Sequence, residues 1–266
     1  MVICLSLLLI TKGTVMKYYE DWEFNVAGIY NYKRKGYLDA YFSYVKDNHD
    51  KIEGDILEAG VFRGASLLGM AAMLKELGSS KKVYGYDTFK GFPPIYHITD
   101  KIEYFDQMAM NGEISQDHLA KVKHNISIRS LSLNIDADEV NAKNISLSSD
   151  FSDNSKDLIL RKCEFFDLDN VVLVEGKFRE TMIKENMNMK IMAGMLDCDL
   201  YESYQTCLNF IWPQLSDEGI IYLDEYYSLK FPGAKAATDE FFKNMDSKPQ
   251  KYPELLGDFE RWFVKK

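Results

Sequence analysis

The apolar positions of this chain follow two alternating patterns. Short runs rich in Val, Ile, Leu and Tyr occur at 55–59, 82–86, 171–174, 191–196 and 220–223, lengths suited to buried strands. Between them, apolar residues recur at three- and four-residue spacing and predict helices over 66–77, 155–165, 201–212 and 234–245. This alternation predicts an α/β domain with a mostly parallel sheet and helices on both faces. The tail breaks the rhythm. Two short candidate strands lie within 249–266, the second at 259–264, with no helix between them, so they are expected to pair antiparallel.

Two further segments stand outside the alternation. Residues 17–50 are dense in aromatics, and Leu38, Tyr41, Phe42 and Val45 predict a helix within 36–48 whose apolar face meets the core. Part of 18–32 has a second reading, as a lid over an active site. From 94 to 150, Asn, Ser and Asp interrupt the apolar residues and only 116–124 reads clearly as helix, so about 95–150 is expected to be a partly mobile insertion. The expected organisation is an N-terminal extension and aromatic-rich helical cap over 1–50, then the α/β domain over 51–266 carrying that insertion.

Charge and composition narrow the partners. The formal net charge of −9 leaves no broad basic surface for phosphates, which argues against a nucleic-acid substrate. Cys4, Cys163, Cys198 and Cys207 show no C-x-x-C spacing, so no zinc site is expected and free thiols in a reducing cytoplasm fit best. The apolar run from Val2 to Ile10 is far shorter than the ~20 residues of a membrane span. Its first cation, Lys12, lies after the run, whereas a secretory signal has a basic segment before it. A docking strand, or an extension ahead of a start at Met16, is the expected reading.

Candidate chemistry begins where the first strand hands over to the first helix. Glu58-Ala59-Gly60-Val61-Phe62-Arg63-Gly64 has the form E-x-G-x-x-x-G, and its glycines let the backbone bend and approach a ligand. A dinucleotide turn would be G-x-G-x-x-G around a pyrophosphate, which an acid at the opening position repels; a nicotinamide-dependent oxidoreductase is disfavoured accordingly. Glu58 suits a cofactor with an ammonium group, and Asp87, ending the second strand, suits ribose hydroxyls. S-adenosylmethionine has both features. Helix capping by Glu58 and packing roles for Gly60 and Gly64 are the plainer alternative.

A second cluster lies at later strand ends. Asp197-Cys198-Asp199-Leu200-Tyr201-Glu202-Ser203 follows the fourth strand, and Asp224-Glu225-Tyr226 closes the fifth. Strand ends in an open parallel sheet face one crevice, so Asp197, Asp224 and Glu225 are expected to converge there. Carboxylates brought together repel one another unless a cation joins them, and an all-oxygen set suits Mg²⁺. Such an ion could hold a substrate hydroxyl and lower its pKa. Ordinary strand-end acids, with Glu202 favoured by a helix dipole, remain the alternative. Asp199, Glu202, His97, His118 and Asp197 itself are all candidates for the base, although each histidine also reads as a solvated loop residue.

The ordered set of motifs resembles the macrocin O-methyltransferase (TylF-type) family. It comprises the 57–64 turn, Val83-Tyr84-Gly85-Tyr86-Asp87-Thr88-Phe89-Lys90-Gly91-Phe92-Pro93, Val174-Glu175-Gly176-Lys177-Phe178-Arg179-Glu180-Thr181, the two acidic stretches, and Phe231-Pro232-Gly233-Ala234-Lys235-Ala236-Ala237. The resemblance spans about 55–92 and 151–266, and no family motif is placed in 95–150. It implies a Rossmann-like class I methyltransferase fold with a mostly parallel seven-stranded sheet and an antiparallel C-terminal strand. It further implies S-adenosylmethionine, Mg²⁺ on Asp197, Asp224 and Glu225, a sugar or glycosylated natural product as acceptor, and a homo-oligomer. The expected cofactor-binding residues are Glu58, Gly60, Gly64, Ser66, Asp87, Thr88 and Gly176; the expected catalytic ones are Asp197, Asp199 and Glu202. Two positions depart from the family pattern: Glu225 stands where a second aspartate is usual, and Cys198 where glycine is. A metal-independent methyltransferase and a catalytically silent cofactor-binding assembly protein are the competing expectations.

Overall fold

The computed structural model describes residues 19–93, 97–253 and 260–266. The apolar run at 2–10 with Cys4, the alternative start at Met16, Tyr18 and the first residue of the second tail strand, Phe259, lie outside them. In chain order the elements are α1 (Asp21–Ala27), α2 (Asp39–Asn48), β1 (Asp55–Ala59), α3 (Ala65–Glu76), β2 (Val83–Asp87), α4 (Tyr104–Met110), α5 (Gln116–Leu133) and α6 (Lys156–Phe165). They continue with β3 (Val171–Glu175), α7 (Phe178–Thr181), β4 (Ile191–Leu196), α8 (Tyr201–Gln214), β5 (Leu215–Leu223), α9 (Pro232–Phe242), β6 (Gln250–Lys251) and β7 (Trp262–Lys265).

The strands form one seven-stranded sheet in the order β3-β2-β1-β4-β5-β7-β6. Neighbours from β3 to β5 are parallel, whereas β7 runs antiparallel to both β5 and β6, as the tail pattern predicts. Strand order reverses between β1 and β4, so the crevice at their C-terminal ends is the topological switch point.

Side chains alternate across the sheet and feed two cores. Ile56, Met192, Met195, Ile220 and Tyr222 join α2 and α3 in one cluster. Leu57, Ile191, Leu196, Ile221 and Leu223 join α8 and α9 in the other. Residues 19–29 belong to the first: Tyr19, Phe24 and Ile29 are buried there, and the Tyr19 hydroxyl donates to the Phe166 carbonyl at 2.8 Å. Among the described residues no helix is long and apolar enough to cross a membrane.

The insertion is more regular than its sequence pattern suggests. The helix expected over 116–124 continues to Leu133, capped by the Ser115 side chain at its start and by left-handed Asn134 at its end. Its buried face carries His118, Val122 and Arg129, so polar residues occupy positions where helical periodicity would show apolar ones. Arg129 is satisfied by donating to the carbonyls of Asn144 (2.6 Å) and Ser146 (2.8 Å). Around it Ile102, Phe105, Met108, Val122, Val140 and Ile145 form a third apolar cluster, which also takes in Leu200 and Phe231 from the main domain. The insertion therefore packs on the segments that follow β4 and β5.

Met108 is fully buried in that cluster. Met108→Ala is expected to cost about 2–5 kcal/mol locally, seen as faster amide hydrogen exchange across 97–150 with exchange in β1 and β4 unchanged.

Candidate active site

Three strand ends are tied together at the switch point. The Gly60 amide donates to the Tyr86 carbonyl (3.0 Å), the Asp197 amide to the Ala59 carbonyl (2.9 Å) and the Asp224 amide to the Leu196 carbonyl (3.0 Å). Gly60 has φ +89°, and a Cβ there would overlap the Asp197 carbonyl oxygen, so glycine is required on two counts. Gly64, at φ +78°, opens α3 beside Ile159.

Around this turn stand the side chains expected to meet a cofactor. Glu58 is 2% exposed, and its Oε1 accepts the Ser66 hydroxyl at 2.7 Å. Burial pushes its carboxyl up to about 8, with Asp87 and Asp224 adding repulsion and the Ser66 bond opposing. Asp87 Oδ2 accepts the amides of Val61 (2.7 Å) and Phe62 (2.9 Å), and its Oδ1 accepts that of Phe89 (2.7 Å). Among the described residues three of its about four acceptor sites are used, so Asp87 holds the loops and leaves about one site open. Thr88 accepts the Lys90 amide at 3.1 Å and turns its chain toward Gly91. The Gly176 amide, at φ +149°, donates to the Asp87 carbonyl at 3.0 Å, bringing the β3 end alongside.

The acids gather on the β4–β5 side. Carboxylate oxygens of Asp197, Asp199 and Glu225 lie within 4.8 Å of one another. Asp199 and Glu225 are each 4% exposed, and among the described residues Asp199 Oδ1 and Glu225 Oε2 have no hydrogen-bond partner. Asp199 holds a left-handed backbone at φ +60°, which turns the chain sharply before α8. Fully buried Tyr204 fixes the geometry: its hydroxyl donates to the Leu196 carbonyl (2.9 Å) and accepts the Glu225 amide (3.1 Å). Burial raises the Asp197 carboxyl well above its ordinary range, helped by Asp224, Asp199 and Glu225. Burial and Glu225 raise Asp199 likewise, with Lys230 opposing. Buried carboxylate oxygens without donors fit a hard divalent cation, which takes oxygen ligands.

The remaining expected residues are placed differently. Asp224 is 7% exposed and its Oδ1 accepts from Arg261 Nη1 at 3.1 Å, while that guanidinium lies 5.1 Å from the Tyr37 ring centre. Glu202 is exposed on the first turn of α8, apart from the carboxylate trio. His118 is no solvated loop residue: it is 7% exposed within α5, with Nε2 3.0 Å from the Ser228 carbonyl, so desolvation lowers its pKa. His97 is half-buried and stacks on Tyr201 with ring centres 4.0 Å apart. Sequence reasoning missed Asp100, 3% exposed, which accepts the Tyr201 amide at 2.8 Å; burial pushes it up to about 6. It lies in the segment whose pattern predicted no element.

The chain matches the macrocin-O-methyltransferase (TylF) family over residues 32–134 and 133–250. It belongs to that family. The match runs through 95–150, where the motifs alone placed no family sequence. It is 25% identical over 178 residues to the 8-demethyl-8-(2,3-dimethoxy-alpha-L-rhamnosyl)-tetracenomycin-C 4'-O-methyltransferase of Streptomyces olivaceus, an alignment covering 66% of this chain and 54% of that protein. The chain thus spans about half the length of this curated relative. Among solved structures it is similar to the O-methyltransferase NovP, with TM-score 0.57, 19% identity and coverage of 85% of this chain and 79% of that one. It is also similar to the calicheamicin methyltransferase CalS11, with TM-score 0.55, 23% identity and coverage of 86% and 76%. With the observed strand order, these likenesses make the fold a Rossmann-like class I methyltransferase fold.

Gly60→Ala would combine a left-handed backbone with a steric overlap. The expected cost is about 2–5 kcal/mol of stability, read as a lowered midpoint in urea unfolding; Gly78→Ala, also left-handed but with open space around it, is expected to cost only about 1–2 kcal/mol.

Proposed function

We propose that the chain transfers the methyl group of S-adenosylmethionine to a hydroxyl of a sugar or glycosylated natural product, assisted by Mg²⁺. One observation carries this reading: the Glu58–Gly60 turn abuts the Asp197, Asp199 and Glu225 trio at the switch point, in a chain of the macrocin-O-methyltransferase family. The acceptor class follows the curated relative, named as a 4'-O-methyltransferase of a rhamnosyl compound. A cytoplasmic setting and a homo-oligomer belong to the same proposal.

S-adenosylmethionine supplies a methyl on a cationic sulfur, so the protein's tasks are to align an oxygen opposite that sulfur and remove its proton. Glu58 holds the ammonium group, and the open acceptor site of Asp87 Oδ1 takes a ribose hydroxyl. Gly60 lets the ligand reach the backbone, while Gly64, Ser66, Thr88 and Gly176 shape the walls. Asp197, Asp199 and Glu225 would hold Mg²⁺, which lowers the pKa of a hydroxyl it binds. Asp199 would offer one carboxylate oxygen to that ion and, held ionised by it, would receive the acceptor's proton on the other. Asp224, paired with Arg261, flanks the trio and keeps its backbone in place.

The competing reading is metal-independent transfer, favoured by Arg261, which already brings a positive charge to the acids. EDTA separates the two. Under the proposal it abolishes methylation and Mg²⁺ restores it; undiminished activity after exhaustive chelation supports the alternative. Asp197→Asn is expected to lower kcat on the order of 100-fold with S-adenosylmethionine Kd within about threefold. Asp87→Ala should do the converse, weakening Kd while metal dependence persists.

Glu58 imposes a pH dependence on cofactor binding. Its folded value of about 8 lies above the ordinary 4.5, so the empty fold gains from its proton, fully below pH 4.5, and loses that gain as pH rises through 8. An ammonium ligand needs the ionised form, so affinity should fall up to about tenfold per pH unit below 8. Calorimetry in buffers of different ionisation enthalpy should show proton release on binding near pH 7, and Glu58→Gln should abolish it. A Kd independent of pH between about 6 and 8 would contradict the assignment of Glu58.

A further inference from the structure

We propose that Asp100 is a positioning residue that latches the insertion onto the first turn of α8 and thereby sets the loop carrying Asp197 and Asp199. The proposal rests on the methyltransferase reading for its functional consequence, while the latch itself rests on geometry. The first turn of α8 needs outside acceptors for its amides because its own N-cap residue, Leu200, makes no side-chain cap. Asp100, from the 3₁₀ turn Ile98–Asp100 of the insertion, supplies that cap across the fold. Its Oδ1 accepts the Tyr201 amide at 2.8 Å and its Oδ2 accepts the His97 amide at 3.1 Å.

Two neighbours close the latch. The His97 ring stacks on the Tyr201 ring at 4.0 Å and 15°, and His97 Nδ1 lies 2.8 Å from Thr99 Oγ1. On the other side, the first turn of α9 presses Gly233 against the same bond. A Cβ at Gly233 would overlap Asp100 Oδ1 and sit 2.9 Å from the Tyr201 amide nitrogen. Gly233, part of the Phe231-Pro232-Gly233-Ala234 motif, is thus explained by the carboxylate it accommodates. The insertion, α8 and α9 converge on Asp100, and Tyr201 follows Asp199 by only two residues. Leu200 between them is held in the insertion's apolar cluster together with Phe231.

The experiment compares Asp100→Ala, Asp100→Asn, Gly233→Ala and the Asp100→Ala/Gly233→Ala double variant in the full chain. Asp100→Ala is expected to lower kcat for the acceptor about 10- to 100-fold with S-adenosylmethionine Kd within about twofold, and Asp100→Asn, which retains one acceptor oxygen, to recover part of the loss. Gly233→Ala should mimic Asp100→Ala alone and cost less in its presence than in the wild-type chain, since truncating Asp100 removes the closest overlap and leaves only the 2.9 Å approach to the Tyr201 amide nitrogen. Amides 201–204 should exchange at least about tenfold faster in Asp100→Ala. Full additivity of the two substitutions, or unchanged exchange at 201–204, would overturn the latch. Should the wild-type chain methylate no acceptor, the proposed function fails, and the exchange and additivity measurements still decide the latch. If Asp100→Ala does not fold, Asp100→Asn and Gly233→Ala are judged by the same exchange and kinetic readings.

Discussion

The carbonyl oxygen of Asp197 lies so close to Gly60 that no side-chain carbon fits between them, and the site is built outward from this contact. Strands β1 and β4 hand over to helices in opposite directions of the sheet order, which opens a crevice between them. Backbone bonds from Gly60, Asp197 and Asp224 then fasten the ends of β2, β1 and β4 to their neighbours. Glu58 and Asp87, on strands, and Asp197, Asp224 and Glu225, at strand ends, inherit positions set by the sheet register. Groups held this way lose little geometry to loop motion.

Electrostatics then decides what can occupy the crevice. Asp197, Asp199, Asp224 and Glu225 lie together at the C-terminal ends of β4 and β5, and among the described residues Arg261 on Asp224 and Lys230, 3.8 Å from Glu225, bring positive charge to them. Removing carboxylates from water is costly unless they are paired or protonated, and the raised proton affinities of Asp197 and Asp199 express that cost. Glu58 is raised for the same reason on the other side of the turn. Acids gathered and buried in this way favour ligands that bring positive charge, which lets them ionise. A divalent ion, an ammonium group and a sulfonium all meet that condition.

The sheet was legible because its strands are apolar on both faces and its helices keep their period. The sharp turn at Gly60 to Gly64 was legible for a related reason: left-handed and close-approach positions demand glycine, and glycine is visible in a sequence. Other features were hidden by long-range pairing. Helix α5 buries His118 and Arg129, whose polarity is neutralised by carbonyls of Ser228, Asn144 and Ser146. Nothing in the local spacing reveals those partners. The same holds for the acids: strand-end placement brought Asp197 and Glu225 together as expected, but Asp199 enters the trio through its left-handed backbone, and Arg261, distant in sequence, engages Asp224. Asp100 meets Tyr201 across 101 positions of chain.

The two halves of the site therefore rest on different physical supports. The Glu58–Asp87 half is backbone-built: Asp87 receives the amides of Val61, Phe62 and Phe89, and Gly60 and Gly176 join strand ends by main-chain bonds. Side-chain substitutions elsewhere leave such a frame largely intact. The carboxylate half leans on packing, because Leu200, which directly follows the acid-bearing loop, and Phe231, which precedes α9, are buried in the insertion's own apolar cluster. The 97–150 segment therefore touches the acid-bearing loop at two points, the packing of Leu200 and the bond from the Tyr201 amide to Asp100, both of them remote in sequence from the strands that place Asp197 and Glu225.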